Sequence, residues 1–280
     1  MTLNEFDYSG LDRPEVLQTL FHPRSETETA VTPAIIDFEI AVEESISVGG
    51  RFHMAGHDDP NILFFHGNDE IASDYDSIGP MFVEVGLSFL AVDYRGYGKS
   101  GGNSTVTSMM RDAHVIFKKV KRRLKAENRT GIIIVMGRSL GSASALELAA
   151  SYPDDIAGLI IDSGFSTTHP FLAALGVDVQ GLGLTMTDDF GNVRKISTFE
   201  KPTLILHAQH DQLIPIEDAG ILHAESPARK KQLQIVPGAD HNTIFERVGK
   251  IYFQEVKRFT NEICGVIPNR DRYKNRRRKN

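Results

Sequence analysis

Ser139 lies at the centre of a five-residue stretch, Gly137-Arg138-Ser139-Leu140-Gly141. An apolar, β-branched run over Ile132–Met136 precedes it, and a helix-favouring run of small residues over Ser142–Ala150 follows it. A serine between two glycines at a strand-to-helix turn is typical of a nucleophile elbow, because side chains at positions 137 and 141 would collide with neighbouring backbone. The stretch therefore predicts that Ser139 is a nucleophile, with an ordinary strand-to-helix turn as the alternative.

A serine hydroxyl is a poor nucleophile unless a base accepts its proton and a carboxylate orients that base. Two downstream residues have the required types and positions. Asp211 follows a predicted strand over Thr203–His207, and His241 follows a predicted strand over Gln232–Val236. We therefore predict a catalytic set in which Ser139 attacks, His241 accepts its proton and Asp211 orients His241.

The elements that must position these side chains form an alternating pattern. From residue 61 onward, apolar strands alternate with amphipathic helices, which predicts an α/β fold with a mainly parallel sheet and helices on both faces. Before them, a strand over Ala34–Ala41 and a hairpin turning at Gly49-Gly50 predict an antiparallel N-terminal edge. In such sheets ligands bind at the carboxyl ends of the strands, where the polar residues above fall.

Five motifs end predicted strands in a fixed order. They are His66-Gly67-Asn68, Asp93-Tyr94-Arg95-Gly96-Tyr97-Gly98-Lys99-Ser100, Gly137-Arg138-Ser139-Leu140-Gly141, His207-Ala208-Gln209-His210-Asp211 and Gly238-Ala239-Asp240-His241. With these motifs the chain resembles the α/β-hydrolase superfamily over roughly residues 34–262. Within it, the chain looks like the serine-hydrolase branch with prolyl-oligopeptidase-like and esterase-like members that lack a large lid.

The resemblance implies an oxyanion hole made of two main-chain N–H groups. One is that of Leu140, and the other comes from the loop after residue 65, which we assign to Asn68; a simple turn is the alternative for this loop. The resemblance also favours Asp211 over Asp162 as the acid, because the loop of Asp211 leads through Pro215 into a helix. It implies that neither a metal nor an organic cofactor is needed.

Three further features of the sequence bear on the site. His207, His210 and Asp211 do not share a helix face at ligand spacing, so we expect no metal site there. Arg138 either binds an acidic group of the substrate or forms a structural ion pair, and we favour the ion pair. Four residues that follow the oxyanion loop could also face the site, namely Asp69, Glu70, Asp74 and Tyr75.

We divide the chain into three parts. Residues 1–34 form an N-terminal extension, residues 35–264 a single α/β-hydrolase domain, and residues 265–280 a basic tail that we expect to be disordered. A short lid-like insert over residues 165–200 is too apolar for a solvated loop. We predict that it lines an acyl or alkyl pocket, with Phe165, Phe171 and Leu175 as substrate contacts. The alternative is that these side chains cover the sheet as part of an ordinary helix.

The net charge and the hydropathy of the chain limit the kinds of partner and the cellular location that we expect. Residues 270–280 carry a net charge of +6, which leaves −12 for the rest of a chain whose total is −6. An acidic body gives no reason to expect nucleic-acid binding. Met1–Gly10 has no apolar core of a signal peptide, and no apolar run approaches the length of a membrane span. We therefore expect a cytoplasmic protein without stable membrane insertion, whose single cysteine, Cys264, cannot form an intrachain disulfide.

The combined prediction is a serine hydrolase that cleaves a carboxylic ester, thioester or amide of a small-molecule acyl substrate. Two other functions remain open from the sequence. One is a peptidase that acts on short peptides. The other is a non-catalytic binding module with the same fold.

Overall fold

The centre of the protein is an eight-stranded β-sheet in a computed structural model that describes residues 7–27 and 35–266. Its strands are β1 (Ile35–Ala41), β2 (Ser47–His53), β3 (Asn61–Phe65), β4 (Ser88–Val92), β5 (Ile133–Arg138), β6 (Gly158–Asp162), β7 (Thr203–Ala208) and β8 (Lys231–Val236). Their order across the sheet is β1-β2-β4-β3-β5-β6-β7-β8. The pairs β1–β2 and β2–β4 are antiparallel and the other neighbours are parallel, which confirms the predicted mainly parallel sheet with an antiparallel N-terminal edge.

The central parallel strands are buried because their sequences are largely apolar. Every residue of β3, β4, β6 and β7 is buried, as expected for strands with helices on both faces. Strands β3, β5, β6, β7 and β8 all run in the same direction, so the loops that follow them lie along one edge of the sheet. This edge carries the candidate site.

Nine α-helices fall within the described ranges. They are α1 (Pro14–Leu20), α2 (Gly79–Glu84), α3 (Val106–Ala126), α4 (Gly141–Ser151), α5 (Thr168–Ala174), α6 (Asn192–Ile196), α7 (Ile216–Glu225), α8 (Ile244–Val248) and α9 (Lys250–Ile263). Apolar side chains of α1 and α3 to α7 form one core cluster, and those of α2, α8 and α9 form a second. The helices therefore cover both faces of the sheet, as the alternation of strands and helices predicted.

The prediction of a hairpin at Gly49-Gly50 is wrong. Both glycines lie inside β2, where Gly50 pairs with Phe38 of β1. A Cβ atom at Gly50 would lie 2.5 Å from the Phe38 ring and 2.6 Å from the main-chain oxygen of Ala91, so this position needs glycine for close packing between strands. The turn comes earlier, where the N–H groups of Val42 and Glu43 both donate to the main-chain oxygen of Ile46.

Residues 7–27 pack against the helix layer that contains α3. Tyr8, Leu11, Val16, Leu20 and Phe21 are buried in the same core cluster as that helix. The remainder of the predicted N-terminal extension and the basic run at 270–280 lie outside the described residues. None of the helices in the described ranges is long and apolar enough to span a bilayer.

Candidate active site

Ser139 occupies a strained turn between β5 and α4. Its φ angle is +50°, which L residues with a side chain rarely adopt. A Cβ atom at Gly137 would overlap the main-chain oxygen of Gly141, and one at Gly141 would overlap that of Phe65. The two glycines therefore allow the backbone to fold tightly around the serine. Ser139 itself is only 3% exposed, and its N–H donates to the main-chain oxygen of Asp162 at 3.0 Å.

The structure brings Asp211 and His241 to this serine. Asp211 lies in the loop after β7, and His241 lies in the loop after the neighbouring strand β8. His241 Nδ1 is 2.7 Å from Asp211 Oδ2, and His241 Nε2 is 3.0 Å from Ser139 Oγ. The imidazole thus stands between a carboxylate and a hydroxyl at hydrogen-bond distance from both, which is the geometry that general-base activation of a serine requires.

The loop around Asp211 fixes its carboxylate. Oδ1 accepts hydrogen bonds from the N–H groups of Leu213 and Ile214 at 3.0 and 2.8 Å, which leaves Oδ2 to His241. Burial raises the pKa of Asp211, but the hydrogen bond and charge of His241 oppose it, and the net pKa lies below the ordinary value. Asp211 is therefore a carboxylate at neutral pH.

Asp162, the other candidate acid, has different partners. It ends β6 and is fully buried, and its Oδ2 accepts a hydrogen bond from Tyr252 Oη at 2.7 Å. Burial raises the pKa of this carboxyl, and the neighbouring Arg138 opposes the rise only in part. Asp211, not Asp162, forms the hydrogen bond to His241. Tyr252 comes from α9, far along the chain, and no motif in the sequence pointed to it.

The loop after β3 lies directly against Ser139, since a Cβ atom at Gly67 would be 3.5 Å from Ser139 Cβ. Each carbonyl of this loop is held in place. The oxygen of His66 accepts from Tyr94 Oη at 2.7 Å, that of Gly67 lies 2.7 Å from His66 Nδ1, and that of Asn68 accepts from Tyr97 Oη at 2.6 Å. Because each peptide group is planar, holding its oxygen also fixes the direction of the following N–H.

Some main-chain N–H groups near Ser139 already donate a hydrogen bond, and others have no acceptor among the described residues. The N–H of Gly67 donates to Glu70 Oε2 at 2.6 Å. Those of Asn68 and Leu140 have no acceptor within residues 7–27 and 35–266. Leu140 precedes α4, where main-chain N–H groups lack intrahelical partners. The two residues named as oxyanion donors thus carry main-chain N–H groups that are free to bind an anionic oxygen.

Arg138 forms the predicted ion pair. Its Nε donates to Glu70 Oε1 at 2.9 Å, and its side chain is only 5% exposed. Burial by itself raises the pKa of Glu70, but the charge of Arg138 overcomes this and holds that pKa at about 2. Glu70 is therefore ionised and fully engaged. The Arg138 side chain is buried, so an acidic group of the substrate has no access to it, whereas the Glu70 side chain is 26% exposed.

Comparison with known proteins supports the family relation. A sequence model of the family described as "Serine aminopeptidase, S33" matches residues 56–186. An α/β-hydrolase domain-containing protein, 17B, from Homo sapiens is 28% identical over 208 residues, covering 72% of this chain and 66% of that protein. The structure of an esterase from Pyrococcus furiosus superposes with a TM-score of 0.70 at 18% identity, covering 86% of this chain and 98% of the esterase.

The chain has the α/β-hydrolase fold and is similar in sequence to α/β-hydrolase domain-containing proteins. Its relatives also include an uncharacterized protein of Mycobacterium tuberculosis that is 26% identical over 236 residues, covering 84% of this chain and 82% of that protein. This match covers most of both chains, so it reaches beyond the single motifs quoted above.

Two of the predicted substrate contacts lie in the core of the protein. Phe165 and Phe171 are 1% and 4% exposed, and their rings stack with centroids 4.2 Å apart. Both belong to the core cluster that covers one face of the sheet, as the alternative interpretation of this insert had it. Leu175 is partly buried against the same cluster. Of the three, only Leu175 offers surface to a ligand in this structure, and its role as a contact stays a prediction.

The histidines near Asp211 are used in other ways. His207 is fully buried, and its Nε2 lies 2.8 Å from the main-chain oxygen of Ile214, while His210 is exposed. Among the residues that the structure describes, no group of three or more His, Cys, Asp or Glu side chains is arranged to hold a metal ion.

Proposed function

We propose that this α/β hydrolase is a serine hydrolase that cleaves a carboxylic ester, thioester or amide through an acyl-enzyme on Ser139. The supporting observation is the unbroken series from Asp211 to His241 at 2.7 Å and from His241 to Ser139 at 3.0 Å. A binding module with this fold has no need of three such groups in hydrogen-bond contact, so the series favours an enzyme.

In the proposed acylation step, Ser139 Oγ attacks the carbonyl carbon of the substrate while His241 Nε2 accepts the hydroxyl proton. The carbonyl oxygen becomes an oxyanion and accepts hydrogen bonds from the free N–H groups of Asn68 and Leu140. When the intermediate collapses, the bond to the leaving group breaks and His241 returns its proton to that group. Asp211 stabilises the imidazolium of His241 and keeps His241 Nδ1 directed at the Asp211 carboxylate.

In the deacylation step, a water molecule attacks the acyl carbon. His241 accepts one proton of that water, and a second oxyanion forms between the same two N–H groups. Its collapse breaks the bond to Ser139 Oγ, which recovers its proton from His241. The net reaction converts one substrate molecule and one water molecule to a carboxylic acid and an alcohol, thiol or amine. The proposed steps use no metal or organic cofactor.

The name of the matched family, serine aminopeptidase, supports a peptidase as a second candidate. An aminopeptidase needs a free carboxylate beside the nucleophile to bind the substrate amine. Glu70 borders the contact between Gly67 and Ser139, but it is already paired with Arg138. We therefore favour esters and thioesters, in line with the esterase from Pyrococcus furiosus, and we expect aminoacyl p-nitroanilides to be poorer substrates than p-nitrophenyl esters.

The decisive experiment is labelling with a fluorophosphonate probe, followed by mass spectrometry of the modified peptide. We expect one adduct on Ser139, and hydrolysis of p-nitrophenyl acetate that Ser139→Ala abolishes. Ser163→Ala is a matched control, since Ser163 also has a positive φ, +47°, at the end of the neighbouring strand β6. That variant should keep both labelling and hydrolysis. Hydrolysis by Ser139→Ala at the wild-type rate, or no adduct on Ser139, would refute the proposal and favour a binding module.

The proposed substrate is a small acyl compound, and a screen of p-nitrophenyl esters from C2 to C12 would define its chain length. A cytoplasmic location and the lack of nucleic-acid binding stay predictions from the sequence.

A further inference from the structure

The guanidinium group of Arg138 contacts two loops of the site and lies near the end of β6. Arg138 directly precedes Ser139 in the chain. Its Nε donates to Glu70 Oε1 at 2.9 Å, its Nη2 donates to the main-chain oxygen of His241 at 2.7 Å, and its Nη1 lies 3.7 Å from Asp162 Oδ1. One side chain thus connects the strand of the nucleophile with the loop of the base and with Glu70.

Glu70 extends this connection to the oxyanion loop. Its Oε2 accepts the N–H of Gly67 at 2.6 Å and the hydroxyl of Tyr75 at 2.8 Å, while Oε1 faces Arg138. The carboxylate therefore occupies the N–H of Gly67 and leaves that of the next residue, Asn68, as the available donor. The position of Asn68 relative to Ser139 depends on where Glu70 is held.

A buried ion pair is weak evidence for stability by itself, because removing two charges from water offsets much of their attraction. What such a pair supplies reliably is a fixed geometry, since a planar guanidinium can engage a carboxylate and a carbonyl in set directions. Here the guanidinium of Arg138 donates in one direction to Glu70, which holds the oxyanion loop, and in another to the main-chain oxygen of His241. The second of these partners is uncharged, so neutralising Glu70 is not the sole task of Arg138.

We infer that Arg138 and Glu70 are a pair of positioning residues for the proposed hydrolysis. Glu70 holds the His66–Gly67 peptide, directly before the peptide that supplies the Asn68 donor, and Arg138 keeps Glu70 at a fixed distance from the loop that carries His241. The oxyanion donor and the base thereby keep one arrangement around Ser139. This inference rests on the proposed function, because it assigns the pair a role in the same site.

The inference makes a specific kinetic prediction. An oxyanion donor acts on charge that develops only in the transition state, so a displaced donor lowers kcat and leaves KM nearly unchanged. It also weakens binding of a boronic acid, whose adduct with the serine carries a tetrahedral anionic boron. If the ion pair were purely structural, its loss would lower the melting temperature and leave kcat and the binding of the boronic acid unchanged.

The test compares wild type with Glu70→Gln, Arg138→Lys and Arg138→Gln. For Glu70→Gln we expect kcat to fall about 10- to 100-fold, KM to change less than about 3-fold, and the inhibition constant of phenylboronic acid to rise about as much as kcat falls. The double variant Glu70→Gln/Arg138→Gln should lose no more than the more damaged single variant, because the two residues act as a unit. Arg138→Lys keeps the positive charge but lacks the planar guanidinium that reaches both Glu70 and the main-chain oxygen of His241. This variant therefore replaces Glu70→Gln as the test if Glu70→Gln folds poorly.

Glu147→Gln is the matched control. Glu147 is also a carboxylate in a buried ion pair, with Lys195 at 2.8 Å, but it lies in the second half of α4, away from Ser139. The Glu147→Gln variant should be less stable than wild type but keep kcat within about 3-fold of the wild-type value, as expected of a change away from the reacting atoms. If Glu70→Gln and Arg138→Lys behave like this control, the inference is wrong while labelling of Ser139 in the wild type still supports the proposed function. Failure of the proposed function itself would show as a wild-type protein without that label.

Discussion

Asp211 divides its two carboxylate oxygens between its own loop and His241. Oδ1 accepts the N–H groups of Leu213 and Ile214, and Oδ2 lies 2.7 Å from His241 Nδ1. The two N–H donors prevent the carboxylate from rotating, so the imidazole meets one oxygen in one direction. Its other nitrogen, Nε2, is then directed at Ser139 Oγ.

Asp211→Asn should lower kcat for p-nitrophenyl acetate about 10³- to 10⁴-fold with little change in fold, because an amide nitrogen facing Nδ1 favours the wrong tautomer of His241. Steady-state kinetics and circular dichroism measure the two effects. The control is Asp240→Asn in the residue before His241. Asp240 is exposed, and its Oδ1 caps its own turn by accepting from Asn242 and Thr243. An equal loss of kcat in both variants would contradict the role given to Asp211.

Ser139→Gly should unfold at a higher urea concentration than Ser139→Ala. A φ of +50° costs a residue with a Cβ atom about 1 kcal/mol, and glycine avoids this cost. Ser144 in α4 provides the control, because its helical backbone reverses the order: Ser144→Gly should be less stable than Ser144→Ala by about 1 kcal/mol. The same order at both positions would argue against strain at Ser139.

Gly141→Ala should disrupt the elbow, since the added Cβ atom would overlap the main-chain oxygen of Phe65. We expect loss of fluorophosphonate labelling together with destabilisation of several kcal/mol, or failure to fold. Gly220→Ala in α7 is the contrasting variant, because a Cβ atom there would meet no described atom beyond its own helical turns within 4 Å. This change should raise the free energy of unfolding by about 0.5–1 kcal/mol and keep the activity.

Acid should weaken the contribution of Glu70 to stability. Its folded pKa of about 2 lies below the ordinary 4.5, so the folded protein favours the ionised form. The stabilisation is complete above the ordinary pKa and declines as the pH falls from about 4.5 towards 2. The free energy of unfolding of wild type should exceed that of Glu70→Gln by about 2–3 kcal/mol at pH 7, and by much less at pH 3. A difference independent of pH would contradict the assigned ionisation.

Asn68 should act through its main chain and not through its side chain. Asn68→Ala is therefore expected to keep kcat within about 3-fold, whereas replacing the N–H at position 68 by an ester oxygen should lower kcat about 10²- to 10³-fold. Incorporation of an α-hydroxy acid at this position tests the second change. A large loss in Asn68→Ala with a small loss in the ester analogue would assign the oxyanion contact to the side chain.

The apolar patterning of the chain was enough to predict the mainly parallel sheet and the order of the candidate site residues along its edge. Uninterrupted apolar runs such as Ile62–Phe65 predict buried parallel strands because only a two-sided core accommodates them. Once the strands run parallel, residues that follow them, such as Asp211 and His241, must share one edge. These are local properties, and short-range patterns report them well.

The contacts between distant parts of the chain could be identified only in the folded protein. Gly49-Gly50 has the composition of a turn, yet the Phe38 ring of the neighbouring strand requires glycine inside β2. The apolar character of Phe165 and Phe171 fits a pocket or a core equally well, and their packing places them in the core. The contacts of Arg138 with Glu70 and with the main chain of His241 join residues far apart in sequence. Such contacts depend on distances that chain folding sets, and no periodicity of residue types encodes them.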